Sequence, residues 1–184
     1  MKRLRHRLEY WAVEATVILA RLLPWRGVRA VGTLLGWLFY ALDARHRGVA
    51  LTNVAAAFPR RTARERRRLV RRVFGHFGRL LFELLKFSGL EPAAMLQRVE
   101  TEGGEHVREA LQGGRGALFF TGHFGYWEIH AIAHGAEFAP IGVLARPLDN
   151  PDLHRLLETM RGRTGNYVIY RRGALRRVLR ALAS

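Results

Sequence analysis

Residues 117–135 read ALFFTGHFGYWEIHAIAHG, a short apolar run followed by a loop rich in glycine and aromatic residues and then by a stretch typical of a helix. The run 117–121 has the length and composition of a buried strand, and we predict a helix over 124–135. A strand, a loop and a helix in this order are the repeating unit of α/β proteins. Functional residues in such folds gather in the loops that follow the carboxyl ends of the strands.

Two further strand and helix pairs follow this unit. The apolar runs IGVLA at 141–145 and YVIY at 167–170 predict strands. Helices are expected after them, over about 151–161 and over 174–182. Strand and helix thus alternate three times, which predicts an α/β fold with a mostly parallel sheet covered by helices.

The composition limits the class of protein. A length of 184 residues fits one domain, or one domain with a small appendage, and 49% apolar residues are enough to form a core. The absence of cysteine excludes a disulfide scaffold, a thiolate zinc site and a cysteine nucleophile. Basic residues number 31 against 15 acidic ones, a net charge of +16. Such a charge predicts an anionic partner: nucleic acid, anionic lipid or an acidic protein.

The N-terminal region is apolar but interrupted by charges. Basic residues fill 1–7, and the longest uncharged run after them, 30–42, has 13 residues. A membrane-spanning helix needs about 20. Three of the four tryptophans lie before residue 38, a composition suited to the headgroup region. We therefore predict that 8–42 forms two helices, broken near Pro24, that lie in one leaflet with their arginines reaching the phosphates. A buried helical hairpin and a single full span are the alternatives.

The next segment predicts an amphipathic, arginine-rich helix. The stretch NVAAAFP at 53–59 ends in a helix stop, and Thr62 with Glu65 has the spacing of a capping box. Apolar residues recur every three or four positions from Leu69 to Leu84, while arginines mostly occupy the other face. That basic face is either solvated or docked on anionic headgroups. Nucleic-acid binding is less favoured, because no zinc-finger, RNP or KH pattern is present.

The loop after the first predicted strand contains a candidate catalytic pair, His123 and Glu128. On one continuous helix these side chains would diverge by about 140°. They can meet if His123 lies in the loop and Glu128 in the first turn of the helix. A neutral imidazole held by a carboxylate is a general base, as in a Ser-His-Asp triad without the serine. The nucleophile would then be a hydroxyl of the substrate itself.

Other motifs carry less chemistry. His130 and His134 have the i, i+4 spacing of metal ligands, but no third ligand stands at a telling distance, and we expect neither a metal nor a cofactor. The glycine clusters at 103–104 and 113–116 predict turns, because no dinucleotide-binding or P-loop fingerprint is present.

Three separated motifs together resemble one known family. They are RHRGVALTNVAAAFP at 45–59, GALFFTGHFGYWE at 116–128 and RPLDNPDLHRLLETMRGRTGNYVIYRR at 146–172. This pattern is similar to the bacterial lipid A biosynthesis (lauroyl/myristoyl) acyltransferase family within the lysophospholipid acyltransferase superfamily. The resemblance implies transfer of a fatty acyl group from acyl carrier protein or acyl-CoA to a hydroxyl of a membrane glycolipid. The implied acceptor is a lipid A precursor, at the cytoplasmic face of the bacterial inner membrane.

The resemblance also implies roles for individual residues. His123 corresponds to the base of the family motif, Glu128 to its acidic partner, and Arg146 to an arginine that helps to bind phosphate or the acceptor. Further candidates for contact with the substrate are Gly125, Tyr126, Arg161 and Arg163. For the last two arginines, solvated helix ends are the alternative interpretation. Tyr126 stands where the family commonly has asparagine, which leaves the catalytic pair intact but alters the pocket mouth.

The resemblance further implies a division of the chain. Residues 1–44 are expected to form a membrane-associating helical segment and 45–184 the acyltransferase domain. Family members continue beyond this point, so we expect the domain to lack their C-terminal part. The expected partners are the acyl donor, the glycolipid acceptor and an anionic membrane surface, with no nucleic acid. A noncatalytic basic membrane-binding protein and a nucleic-acid-binding protein are the alternatives.

Overall fold

The structure is a computed structural model that describes residues 2–171 and 173–182, and it is mostly helical. Its elements are α1 (Lys2–Leu22), α2 (Trp25–Leu42), α3 (Ala44–Ala57), α4 (Ala63–Phe87), α5 (Pro92–Leu96), α6 (Gly104–Gln112), α7 (Trp127–Glu137), β1 (Gly142–Ala145), α8 (Pro151–Gly162), β2 (Tyr167–Tyr170) and α9 (Ala174–Leu182). The chain divides into two compact units. We call residues 17–86 the helical unit, and residues 1–16 with 87–184 the α/β unit.

The N-terminal helices confirm the predicted break at Pro24. Helix α1 ends at Leu22 and α2 begins at Trp25. Proline at this position has no N–H to donate to the preceding turn, so the first helix cannot continue through it. Among the residues that the structure describes, no helix has both the length and the apolarity needed to cross a bilayer. The placement of 8–42 in a leaflet stays a prediction.

The predicted boundaries around Pro59 are also confirmed. Helix α3 ends at Ala57, shortly before the proline. The capping box before α4 is reciprocal: the Glu65 N–H donates to Thr62 Oγ1 at 3.3 Å, and the Thr62 N–H donates to Glu65 Oε2 at 2.7 Å. These bonds satisfy two of the backbone N–H groups that a helix start leaves unpaired.

Within the helical unit, α2 and α4 cross at glycines. A Cβ placed on Gly32 of α2 would lie only 2.7 Å from the carbonyl oxygen of Gly78 in α4. The two backbones therefore approach more closely than any side chain would permit. One turn before the crossing, Arg29 of α2 donates from Nε to Oε1 of the buried Glu83 at 2.6 Å. This ion pair compensates a carboxylate that would otherwise be costly to bury.

In the α/β unit, β1 and β2 pair in parallel, with Gly142 opposite Tyr167 and Ala145 opposite Tyr170. The strands predicted at 141–145 and 167–170 are thus confirmed, as is their parallel direction. The helices predicted after them are confirmed as α8 and α9. Both strands end at the same edge, so the residues that follow Ala145 and Tyr170 lie near each other.

The strand predicted at 117–121 is wrong. This segment has no regular secondary structure, and the following helix begins at Trp127 rather than at 124. A strand requires a neighbour that accepts and donates its backbone hydrogen bonds, and in the described part of the chain β1 pairs only with β2. Without such a neighbour the apolar side chains have no sheet face to cover, and Phe120 is 96% exposed.

A buried asparagine positions α7 against the strands. Asn166, just before β2, donates from Nδ2 to the Ala131 carbonyl oxygen at 2.8 Å and accepts the Ile141 N–H at 3.0 Å. Its amide thus joins the middle of α7 to the entrance of β1. A second buried asparagine, Asn150, caps α8 by accepting the Asp152 N–H at 3.0 Å. The buried apolar core around them includes Met95, Ile132, Ala133, Met160 and Ile169.

Candidate active site

The loop between residue 121 and α7 contains a tight turn centred on His123. The Phe124 N–H donates to the Gly122 carbonyl oxygen at 2.8 Å, which closes a three-residue turn. Gly125 follows with a φ of 55°, in the left-handed region that favours glycine. The chain then enters α7, so His123 lies in the loop and Glu128 in the first helical turn, which is the placement that allows the two to approach.

The two predicted catalytic residues are close in the chain, but their side chains are not hydrogen-bonded to each other. The exposed His123 ring packs on the Trp127 ring, with centroids 5.2 Å apart, and Trp127 directly precedes Glu128. Within 2–171 and 173–182, no hydrogen bond joins the His123 ring to the Glu128 carboxylate. Direct pairing of the two groups therefore stays a prediction.

The Glu128 carboxylate is instead bound by Arg161, at the end of α8. Arg161 donates from Nη2 to Glu128 Oε1 at 2.6 Å and from Nε to Oε2 at 3.1 Å. This is the bidentate geometry in which a guanidinium binds a carboxylate most strongly. The side chains are 15% and 24% exposed, respectively, so the pair is largely shielded from solvent. Arg161 thus lies at the site through its pair with Glu128, and its contact with substrate stays a prediction.

The same face of α8 carries a second polar cluster that the sequence analysis missed. Tyr170, the last residue of β2, donates its O–H to Glu158, and its oxygen lies 2.9 Å from His154 Nε2. The Leu148 N–H donates to His154 Nδ1 at 3.5 Å, which leaves Nε2 as the protonated nitrogen facing Tyr170. Burial, together with the hydrogen bond to Glu158, raises the pKa of Tyr170 to about 12.

A signal for this cluster was present in the sequence. His154, Glu158 and Arg161 stand at i, i+4 and i+7, which places them on one helix face. A row of polar residues on the face that a helix turns toward a sheet indicates a buried polar network. Tyr170 and Glu128, the partners of this row, come from other elements, and no spacing along the chain indicates them.

The remaining predicted site residues lie in different environments. Arg146 is exposed directly after β1, and in the described part of the chain it has neither an ion pair nor a hydrogen bond. Tyr126, the residue before α7, is 40% exposed. Arg163 lies elsewhere: it donates to the Leu90 carbonyl oxygen at 3.2 Å and pairs with Glu91 at 3.1 Å.

His134, one of the two histidines with metal-ligand spacing, is buried among aromatic rings. Its ring centroid lies 4.7 Å from that of Phe119 and 5.1 Å from that of Phe138. Burial lowers the pKa of His134, and the charge of His130 on the same helix lowers it further. Among the described residues, no group of three or more His, Cys, Asp or Glu side chains is gathered in a way that could hold a metal ion.

Comparison with known proteins places the chain in a family. The bacterial lipid A biosynthesis acyltransferases match over residues 1–184, which extends the resemblance seen from Arg45 onward to the N-terminal helices. A lipid A biosynthesis lauroyltransferase of Escherichia coli strain K12 is 32% identical over 130 residues, 70% of this chain. The aligned part is 42% of that relative's length. The match over the full sequence shows that this protein belongs to the bacterial lipid A biosynthesis acyltransferase family.

Proposed function

We propose that the chain carries the catalytic base of an acyltransferase that moves a fatty acyl group from a thioester donor to a hydroxyl of a membrane glycolipid, namely a lipid A precursor. The observation that carries this proposal is the placement of His123. Its ring is exposed in a tight turn directly before α7, and Glu128 lies in the first turn of that helix. An accessible imidazole in a loop that a carboxylate of the next helical turn can approach supports general-base catalysis.

The proposed reaction needs no group outside the protein and its two substrates. The His123 ring accepts the proton of the acceptor hydroxyl while that oxygen attacks the thioester carbonyl carbon. The tetrahedral intermediate then collapses, the carbon–sulfur bond breaks, and the leaving sulfur takes the proton back from the imidazolium. Glu128 stabilises the imidazolium while it exists. The N-terminus of α7 lies beside this turn, and its positive dipole end favours the developing oxyanion.

Charge and exposure support the proposed partners. Both candidate donors, acyl carrier protein and acyl-CoA, are anionic, and so is a phosphorylated glycolipid acceptor. Arg146 follows the carboxyl end of β1, is exposed, and is open to bind such a group. Gly125 and Tyr126 lie between His123 and α7 in the chain, and we propose that they contact the substrate. Contact of Arg161 or Arg163 with substrate stays a prediction, since each guanidinium pairs with a carboxylate.

The surface of the helical unit supports association with a membrane. In the helical unit, α2 has the largest set of large exposed apolar residues, and they include a tryptophan and a phenylalanine. They are Leu34, Leu35, Trp37, Leu38, Phe39 and Leu42. Exposed apolar surface of this extent marks an interaction site. We propose that residues 1–44 associate with the cytoplasmic face of the bacterial inner membrane, and that 45–184 belong to the acyltransferase domain.

The decisive experiment is acyl transfer from labelled acyl carrier protein into a bacterial glycolipid fraction. The wild type is compared with His123→Ala and with His130→Ala, in which an exposed histidine on α7 is removed. We expect His123→Ala to lower the rate roughly 10²- to 10⁴-fold. His130→Ala should retain the wild-type rate. Full transfer by His123→Ala would refute the proposed mechanism.

The same preparation tests the alternative functions. A noncatalytic membrane-binding protein would bind anionic vesicles without any turnover of the acyl donor. A nucleic-acid-binding protein would bind DNA or RNA in a salt-sensitive manner, and binding would survive deletion of residues 1–42.

A further inference from the structure

Arg161 binds both carboxylate oxygens of Glu128, the proposed partner of the candidate base His123. Its two hydrogen bonds to Glu128, at 2.6 and 3.1 Å, use one lone pair on each oxygen. An ionised carboxylate offers about four such positions. The bidentate bond therefore fixes the plane of the carboxylate and leaves the other positions for a second donor.

Besides its pair with Glu128, the charge of Arg161 acts on Tyr170, where it partly opposes the rise in the pKa of that hydroxyl. On its own helix the nearest acidic group toward the strands is Glu158, and that carboxylate accepts the O–H of Tyr170, which also contacts His154. On α7, the ionisable residue that follows Glu128 in the sequence is the exposed His130, two positions later. The loop before α7 contributes the ionisable side chain of His123, whose ring packs on that of Trp127.

The distance in sequence makes this contact informative. Arg161 on α8 and Glu128 on α7 are 33 residues apart, and the buried Asn166 holds α7 through the Ala131 carbonyl oxygen. A solvated arginine at a helix end would not form a shielded bidentate pair. The pair instead has the geometry by which one side chain, Arg161, orients the functional group of another, Glu128.

We propose that Arg161 is a positioning residue for Glu128: it fixes the direction of the carboxylate that acts on His123 in the proposed acyl transfer, and it supplies the positive charge that balances this carboxylate. The proposal rests on the proposed acyl transfer for its functional meaning, but its electrostatic part does not depend on activity. With Arg161 in place, the guanidinium balances the charge of Glu128. Without Arg161, the full negative charge acts on the ring.

The first test is an NMR titration of the histidine rings in the full chain without substrate, with the His123 signal assigned from its loss in His123→Ala. We expect Arg161→Gln to raise the titration midpoint of His123 by about 0.5–1 pH unit, and Glu128→Gln to lower it. Arg161→Lys keeps the positive charge but loses the bidentate guanidinium geometry, and its His123 midpoint should lie near that of the wild type. An unchanged midpoint in both Arg161→Gln and Glu128→Gln would overturn the proposal.

The second test separates positioning from contact with substrate. For a positioning residue, Arg161→Gln lowers kcat at least tenfold, leaves KM within about twofold and moves the acid limb of the rate profile to higher pH. If Arg161 instead binds the acceptor, KM rises while the acid limb stays in place, and the proposal is wrong. Arg155→Gln, which removes an exposed arginine from α8, is the matched control and should change neither quantity.

Loss of folding is controlled by a double variant. Arg161→Gln leaves Glu128 as an uncompensated, shielded charge, which is destabilising, whereas Arg161→Gln with Glu128→Gln removes both charges. The double variant should regain much of the lost melting temperature but none of the activity, and its His123 midpoint should equal that of Glu128→Gln. A wild type without acyl transfer would refute the proposed function, while the NMR titration would still decide the role of Arg161.

Discussion

At the scale of single residues, burial separates two histidines that lie close together in the sequence. His134 lies within α7 against two phenylalanine rings, and burial lowers its pKa below the usual value. His123 precedes α7 in the sequence and lies in an exposed turn. Two histidines close in sequence thus have different roles: one packs in the core, and the other faces the solvent as a candidate base.

The lowered pKa of His134 makes stability depend on pH. Below the ordinary histidine pKa of about 6.5 the unfolded chain binds a proton that the folded chain resists, so the stability falls as the pH falls through this value. We expect His134→Gln to reduce the loss of stability between pH 7.5 and pH 5.5 relative to the wild type. Urea midpoints at the two pH values measure this.

The control for His134 is His106→Gln, because His106 is an exposed histidine on α6. This variant should keep the pH dependence of the wild type. An equally strong pH dependence in His134→Gln would show that other groups cause it.

At the scale of elements, the crossing of α2 and α4 depends on the absence of side chains. Gly32 and Gly78 allow backbone atoms to touch, and Gly36 beside them would likewise overlap the Phe74 carbonyl oxygen if it carried a Cβ. Because the obstacle is backbone rather than a flexible side chain, it cannot rotate away. A larger residue must move one helix as a whole.

We therefore expect Gly32→Ala to destabilise the protein by about 1–3 kcal/mol, because an added methyl group forces the two helices apart. Gly48→Ala is the matched control: Gly48 is also helical, in α3, and a Cβ there would have nothing within 4 Å. It should stabilise by up to about 1 kcal/mol through helix propensity alone. Thermal or urea unfolding measures both, and equal effects would contradict the close crossing.

The elements also show where local pattern suffices and where it fails. The capping box at Thr62 and the proline at 24 specify helix ends through bonds within a few residues, and the structure confirms both. The run 117–121 has the composition of a strand, but it is not one. Strand formation needs a hydrogen-bonding neighbour from elsewhere in the chain, and composition does not reveal whether that neighbour is present.

At the scale of the whole molecule, the net charge of +16 is carried almost entirely by arginine, since only two lysines are present. Family membership gives this charge a lipid context. The acceptor and donors that we propose are anionic, and the exposed arginines of α4 accompany the exposed apolar residues of the helical unit. Nucleic acid is not needed to explain the charge.

We expect the full chain to bind vesicles containing anionic phospholipid and to bind purely zwitterionic vesicles much less. Replacing the exposed Arg64, Arg67 and Arg68 of α4 by glutamine should weaken binding roughly 10- to 100-fold, since each basic residue near the surface contributes about 1 kcal/mol at most. Cosedimentation at increasing salt measures this.

Replacement of the same three arginines by lysine is the control, because it keeps the charge. It should preserve vesicle binding. Unchanged binding by the glutamine variant would show that the α4 face is solvated, which is the other interpretation of its sequence.

The sequence by itself determined what depends on neighbouring residues: the helix breaks near Pro24 and Pro59, the two short strands, the family motifs, and the placement of His123 in a loop with Glu128 in the first turn of the helix that follows. Only the tertiary structure decided which groups pair across long separations. Arg161 reaches Glu128 over 33 residues, and Tyr170 joins His154 and Glu158 from another element. The physical reason is that periodicity and capping are short-range effects, whereas an ion pair depends on how whole elements pack, and no spacing along the chain encodes that packing.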